Sequence, residues 1–148
     1  MEDLNAIELL IVEDNPQDAE LILRALRKHN IANKFYVAED GAEALDFIFC
    51  NGKYASRNIS SPPKVIFLDL KLPKISGLEV LREIKSNLQT KALPVVMITS
   101  SREDPDIKKA YELGVNSYVV KPVNFDDFLS AMSQTGLYWL LVNESPIR

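Results

Sequence analysis

Residues able to do chemistry follow four of the apolar runs in this sequence. Glu13 and Asp14 follow the first run, and "KVIFLDLKLPKISG" carries Asp69 at the end of another. Thr99 ends a later run, and Lys121 follows the last one. An ionised side chain in a dry interior is costly unless it is paired or bound to a metal. These residues therefore either lie at the surface or serve a chemical purpose.

Three carboxylates and an ammonium at one place would suit phosphoryl chemistry. At an effective dielectric of about 20, each close pair of carboxylates costs on the order of a few kcal/mol, so a cation is needed among them. Mg²⁺ prefers oxygen ligands, and zinc is disfavoured because no His or Cys is near. A free carboxylate can then attack a phosphoryl group while Lys121 offsets its charge. Asp69 is the predicted nucleophile.

The elements that position these residues follow from the hydrophobic pattern. Five short apolar runs rich in β-branched residues predict buried strands. They are Ile7 to Val12, Lys34 to Ala38, Val65 to Leu68, Pro94 to Thr99 and Ser117 to Val120. Segments with a helical period predict helices between and after them. They are Ala19 to Lys28, Ala42 to Phe49, Gly77 to Asn87, Asp106 to Leu113 and Phe125 to Leu141.

A strand and a helix thus alternate five times. Strands too apolar for a wet face predict a parallel sheet with helices on both faces, and right-handed crossovers make the α/β fold doubly wound. Ligands of such sheets bind outside the carboxyl ends of the strands, so we expect the acids, Thr99 and Lys121 to meet there. The polar stretch 51–64 is predicted to be a long loop within one domain.

The bulk composition limits the function classes. A chain of 148 residues with 47% hydrophobic and 26% charged residues fits one globular domain, predicted over residues 1–148. No apolar run is long enough to predict a membrane span. The net charge of -4 and the lack of a dense basic cluster argue against direct nucleic-acid binding. The acidic start of the chain and the single Cys50 favour a cytoplasmic location.

Four motifs together resemble the receiver domain of two-component response regulators. They are "VEDN" (12–15), "FLDLKLPKISG" (67–77), "ITSS" (98–101) and "NSYVVKP" (116–122). The resemblance runs from about Ile7 to about Met132 and implies a flavodoxin-like sheet with strand order 2-1-3-4-5. The loop after the second helix and the tail "GLYWLLVNESP" are similar to single-domain regulators that partner cyanobacterial phytochromes.

The resemblance also implies a role for each site residue. Asp69 would be the phosphoacceptor, Asp14 a direct Mg²⁺ ligand, Glu13 a ligand mainly through water, the backbone carbonyl of Lys71 a further ligand, Thr99 the switch hydroxyl, Lys121 the phosphate-binding ammonium and Tyr118 the switch aromatic. The Lys121–Pro122 bond would be cis. Two features depart from the family pattern: Glu13 stands where an aspartate is most common, and Ser100 where alanine is common.

The C-terminal segment 133–148 extends beyond an ordinary last helix. Its stretch "LYWLLV" is apolar almost all the way round, although a small sheet has little left to bury there. We predict that Tyr138, Trp139, Leu140 and Leu141 form a homodimer interface, with packing inside the monomer as the alternative.

The function predicted from these features is a phosphorylation-dependent signalling switch. A sensor histidine kinase, which the narrower resemblance suggests is a phytochrome, would phosphorylate Asp69, and an unidentified downstream protein would read the result. A constitutive interaction module that does not switch is the alternative. The chain is not predicted to be an enzyme beyond self-phosphotransfer and slow autodephosphorylation, because Lys71 stands where an aspartyl phosphatase needs a second acid. The acidic "EDNPQD" also disfavours a flavin phosphate site.

Overall fold

The computed structural model describes residues 3–29, 34–122 and 124–146. They contain five strands: β1 Leu9–Val12, β2 Phe35–Ala38, β3 Val65–Leu68, β4 Val95–Thr99 and β5 Ser117–Val120. All neighbouring strands are parallel, and their order is β2-β1-β3-β4-β5. The predicted five-stranded, doubly wound sheet is confirmed.

Five α-helices connect or follow the strands: α1 Pro16–Lys28, α2 Gly41–Phe49, α3 Gly77–Ser86, α4 Asp104–Glu112 and α5 Phe125–Leu137. α1 begins at Pro16 rather than at the predicted Ala19. Asn15 caps it, because its side chain accepts the backbone N–H groups of Gln17 at 2.9 Å and Asp18 at 3.1 Å, and proline suits the first helical position. None of the helices in the described part of the chain is long and apolar enough to cross a membrane.

The sheet has a hydrophobic core on each face. Alternate residues of β1 point to opposite sides: Leu10 and Val12 pack with α2, α3 and α4, whereas Leu9 and Ile11 pack with α1 and α5. Every residue of β1, β3 and β4 is buried, while the edge strand β5 is only half-buried. The predicted helices on both faces are therefore confirmed.

The predicted polar loop over residues 51–64 is anchored in the core. Arg57 is only 6% exposed, and its guanidinium lies 4.0 Å from the centre of the Phe47 ring. It donates hydrogen bonds to the carbonyl oxygens of Leu4 at 3.2 Å, Ser61 at 3.1 Å and Phe47. One buried side chain thus ties the loop to the first turn of the chain and to the end of α2.

The last predicted helix is two segments, because a π-helix over Tyr138–Val142 follows α5. Leu140 is only 6% exposed and packs in the core beside α1 and α5. Tyr138 and Leu141 are exposed, and Trp139 is half-buried. The Leu140 side chain is therefore buried within the monomer, which corrects the prediction that it lies in an exposed homodimer interface.

Candidate functional site

The carboxyl ends of β1 and β3 bring three carboxylates together. Val12 pairs in register with Leu68, so Glu13, Asp14 and Asp69 leave the sheet side by side. One carboxylate oxygen from each of the three acids lies within 4.8 Å of those of the other two. Glu13 is buried, Asp69 half-buried and Asp14 exposed. The group is open to solvent on one side and offers oxygen ligands only.

Lys121 reaches this cluster from the end of β5. Its backbone N–H donates to the Thr99 carbonyl at 2.7 Å, which continues the pairing of β5 with β4. Its Nζ donates to Glu13 Oε1 at 2.5 Å and to Asp18 Oδ2 at 2.9 Å. The distance from Nζ to Asp69 Oδ2 is 3.6 Å, an ion pair longer than a hydrogen bond. The ammonium therefore holds two acids and faces a third.

The ion pairs and burial shift the pKa values of this group in a defined way. The pKa of Glu13 is raised to about 7, because burial outweighs the hydrogen bond from Lys121 and the charge on Asp69 adds to the effect of burial. Burial would lower the pKa of Lys121, but the hydrogen bonds to Glu13 and Asp18 outweigh it and raise that pKa. Lys121 thus stays charged at neutral pH. A cation beside Glu13 would favour the ionised carboxylate.

The start of α3 lies against the backbone of Asp69. A Cβ atom at Gly77 would lie 2.0 Å from the carbonyl oxygen of Asp69, and the Gly77 N–H donates to the Leu70 carbonyl at 2.8 Å. Asp69 Oδ1 accepts the N–H of Leu70 at 2.8 Å. Only glycine fits at residue 77 without moving α3, so this residue sets how the chain leaves β3 beside the site.

Thr99 and Tyr118, the predicted switch residues, contact the same neighbour. Thr99 is buried, and its Oγ1 accepts the N–H of Ser101 at 3.3 Å. The hydroxyl of Tyr118 donates to the carbonyl of Ser101 at 3.1 Å. The Ser101 hydroxyl in turn donates to Asp106 Oδ2 at 2.5 Å, in the first turn of α4. Ser101 therefore links both residues to α4.

Lys71 and Ser100 lie at the rim of the site. Lys71 lines an open groove together with Asp14 and Asp106, so it lies beside the carboxylate cluster. The metal-binding role of its carbonyl stays a prediction. Ser100 is exposed.

The prediction of a cis bond between Lys121 and Pro122 is wrong. No peptide bond between the described residues is cis, so this one is trans. Trans is favoured even before proline, by about 0.5–1 kcal/mol. The trans chain already brings Lys121 to Glu13 and Asp18.

Asp18 was not among the predicted site residues. It stands in the first turn of α1, where an acid is also explained by the helix dipole. The signal that points to the site is its position in "EDNPQD", where the capping residues Asn15 and Pro16 begin the helix just after Asp14. The first turn of α1 must then lie close to the cluster.

Comparison with known proteins identifies the family. Residues 9–133 match the family described as the response regulator receiver domain. The chain belongs to this family. The response regulator Rcp1 of Synechocystis sp. is 37% identical to this receiver domain over 132 residues, which cover 89% of the chain and 88% of the relative. A crystal structure of the Mn²⁺-bound form of Rcp1 aligns with a TM-score of 0.87 at 36% identity, over 93% of this chain and 97% of that one.

Other solved relatives are regulators of phytochrome signalling. The phosphorylated cyanobacterial phytochrome response regulator RcpA aligns with a TM-score of 0.87 at 34% identity, over 95% of this chain and 99% of that one. The bacteriophytochrome response regulator AtBRR is 51% identical, with a TM-score of 0.71 over 92% of this chain and 96% of that one. The predicted family and its likeness to phytochrome regulators are confirmed. This receiver domain is a module of two-component signalling.

Proposed function

We propose that this receiver domain is a phosphorylation-dependent switch that accepts a phosphoryl group on Asp69 from a sensor histidine kinase. The observation that carries the proposal is the position of the Asp69 carboxylate, half-buried beside Glu13 and Asp14 and 3.6 Å from the Lys121 ammonium. The relative RcpA, solved in a phosphorylated form, supports it. The lone Cys50, which cannot form an internal disulfide, supports a reducing, cytoplasmic setting.

The proposed transfer exchanges one bond to phosphorus for another. A carboxylate oxygen of Asp69 forms a bond to the phosphorus while the phosphorus–nitrogen bond of the kinase phosphohistidine breaks. The electron pair of that bond stays on the imidazole nitrogen, which takes up a proton. Lys121 offsets negative charge on the phosphoryl oxygens. We propose no enzymatic turnover beyond this self-phosphotransfer and slow autodephosphorylation.

We propose Mg²⁺ as the metal at this site. Carboxylates of Glu13, Asp14 and Asp69 would hold it, with the backbone carbonyl of Lys71 as a further ligand. A ligand set made only of oxygen fits a hard divalent cation. The bound ion supplies positive charge that relieves repulsion among the carboxylates and the phosphoryl oxygens.

The contacts at Ser101 suggest how the switch moves. A phosphoryl group brings roughly -1.5 to -2 charges and three acceptor oxygens to Asp69. We propose that the Thr99 hydroxyl turns toward it and gives up the N–H of Ser101. Tyr118 is held by the carbonyl of the same residue, so a shift of Ser101 would change the tyrosine and α4 together. A nearly complete change of state needs about 5.5 kcal/mol of differential stabilisation.

Phosphorylation of the purified protein tests the proposed acceptor. The protein is incubated with acetyl phosphate and Mg²⁺, and its intact mass is measured. We expect a gain of one phosphoryl group that disappears in Asp69→Asn and persists in the control Asp126→Asn, whose acid lies in the first turn of α5. No gain in the wild type, or an equal gain in Asp69→Asn, would refute the proposal. Transfer from a phosphorylated phytochrome kinase tests the partner in the same way.

We propose that the segment 133–148 is a C-terminal extension of a single receiver domain and that its exposed side chains support a homodimer. Tyr138 is 49% exposed and Leu141 65% exposed, whereas Leu140 is buried. Leu141→Ser should therefore weaken the dimer, as measured by sedimentation, without changing the free energy of unfolding. A wild type that is monomeric at every concentration would contradict the homodimer. If the affinity for partners and the affinity of the dimer are the same with and without beryllofluoride, a constitutive interaction module is favoured instead.

A further inference from the structure

The contact between Asp18 and Lys121 has no part in the proposed phosphoryl transfer. Asp18 Oδ2 accepts a hydrogen bond from Lys121 Nζ at 2.9 Å, across 103 residues of sequence. Asp18 does not belong to the cluster of acids that can share a metal. Its partner is the ammonium that has to meet the phosphoryl group.

The ammonium has three N–H donors, and the structure shows where two of them go. One binds Glu13 and one binds Asp18, while Asp69 lies at 3.6 Å, beyond hydrogen-bond distance. The Lys121 side chain is only 9% exposed, so it has little access to water as an alternative partner. One N–H is thus left for the three oxygens of a phosphoryl group on Asp69, and any further hydrogen bond to them would compete with the present acceptors.

Breaking the hydrogen bond from Lys121 to Asp18 costs less free energy than breaking the one to Glu13. The Glu13 side chain is only 2% exposed and would be left as an unpaired buried charge. The Asp18 side chain is 30% exposed and lies in the first turn of α1, where water and the helix N-terminus stabilise a free carboxylate.

We propose that Asp18 is a positioning residue that holds Lys121 in the unphosphorylated state and competes with the phosphoryl group for it. Phosphorylation breaks the Lys121–Asp18 hydrogen bond and keeps the one to Glu13. Asp18 thereby lowers the affinity of the site for a phosphoryl group. This inference rests on the proposed function, because it presumes that Asp69 is the acceptor.

The test compares Asp18→Asn with Asp127→Asn. Both acids stand in the first turn of a helix capped by an asparagine side chain, Asn15 or Asn124, that accepts the acid's own backbone N–H. With saturating Mg²⁺, we expect Asp18→Asn to bind beryllofluoride about fivefold more tightly than wild type. The amide oxygen of asparagine can still accept from Lys121 but is uncharged, and this estimate corresponds to the weakening of one partly exposed charged hydrogen bond. Asp127→Asn should match the wild type. Unchanged or weaker binding in Asp18→Asn would overturn the inference.

A second measurement separates positioning from simple charge repulsion. Lys121 is labelled with an amine-reactive reagent in the unphosphorylated, full-length protein, and the rate is read by mass spectrometry. Faster labelling of Lys121 in Asp18→Asn than in Asp127→Asn supports a held ammonium. Tighter beryllofluoride binding without faster labelling would show that Asp18 repels the bound group directly, rather than acting through Lys121, and would overturn the positioning role. If the wild type does not bind beryllofluoride, the proposed function fails, and labelling alone decides whether Asp18 holds Lys121.

Discussion

Replacing Gly77 by alanine tests the link between the start of α3 and the phosphoacceptor. The new Cβ would lie 2.0 Å from the carbonyl oxygen of Asp69 and 2.8 Å from the Cα of Leu70. Both are backbone atoms, so no side-chain rotation relieves the contact. Either α3 or the residues after β3 must move.

The size of the effect follows from the distances. A carbon and a carbonyl oxygen approach to about 3.3 Å, so the backbones must separate by more than about 1 Å. Overpacking of this kind costs about 1–3 kcal/mol, and the better helix propensity of alanine returns about 0.5–1 kcal/mol. We expect the free energy of unfolding to fall by about 1–2 kcal/mol. Because a 1 Å misplacement can cost about 10²-fold in rate, phosphorylation of Asp69 should slow by up to that factor.

The assay pairs urea unfolding, followed by the fluorescence of the single tryptophan Trp139, with the initial rate of phosphorylation by acetyl phosphate. Gly41→Ala is the matched control. A Cβ there would lie 2.0 Å from the carbonyl oxygen of Ile75, outside the carboxylate cluster. It should lose similar stability and keep most of its phosphorylation rate. A Gly77→Ala variant as stable as wild type, or equal rate losses in the two variants, would refute the reasoning.

Three further results are expected. Arg57→Ala should lower the free energy of unfolding by about 3 kcal/mol or more, because three carbonyl oxygens lose their donor. The control is Arg24→Ala, on the exposed face of α1. An equal loss of stability in this control would argue against the account. In the same urea titration, Leu140→Ala should lower the free energy of unfolding by about 2–4 kcal/mol, and Leu141→Ala should lower it by under about 0.5 kcal/mol. The reverse order would mean that Leu141, and not Leu140, is the buried residue of the tail. Because burial raises the pKa of Glu13 to about 7 and the metal needs its ionised form, Mg²⁺ should bind about tenfold more tightly at pH 8 than at pH 6 by calorimetry. That dependence should flatten in Glu13→Gln, and an unchanged slope there would assign the proton to another group.

Much of the fold can be predicted from local patterns of hydrophobic residues in the sequence. The run Val65–Leu68 is wholly apolar, and β3 has these same limits because a strand buried on both faces excludes polar residues along its length. Asp69 comes just after β3 and Glu13 just after β1. The parallel register of the two strands then places these two acids side by side at one edge of the sheet. Element ends were harder to predict: α1 starts at Pro16 because a side-chain cap, not hydrophobic period, decides where a helix begins.

The sequence by itself determined which chemical groups stand at the strand ends, because each depends on neighbours along the chain. Only the tertiary structure decided which of those groups touch. Lys121 reaches Asp18 as well as Glu13, and Thr99 and Tyr118 meet at Ser101. Such contacts join residues far apart in sequence, and their geometry depends on how far each side chain reaches across packed elements. The hydrophobic periodicity of the sequence does not indicate how far each side chain reaches.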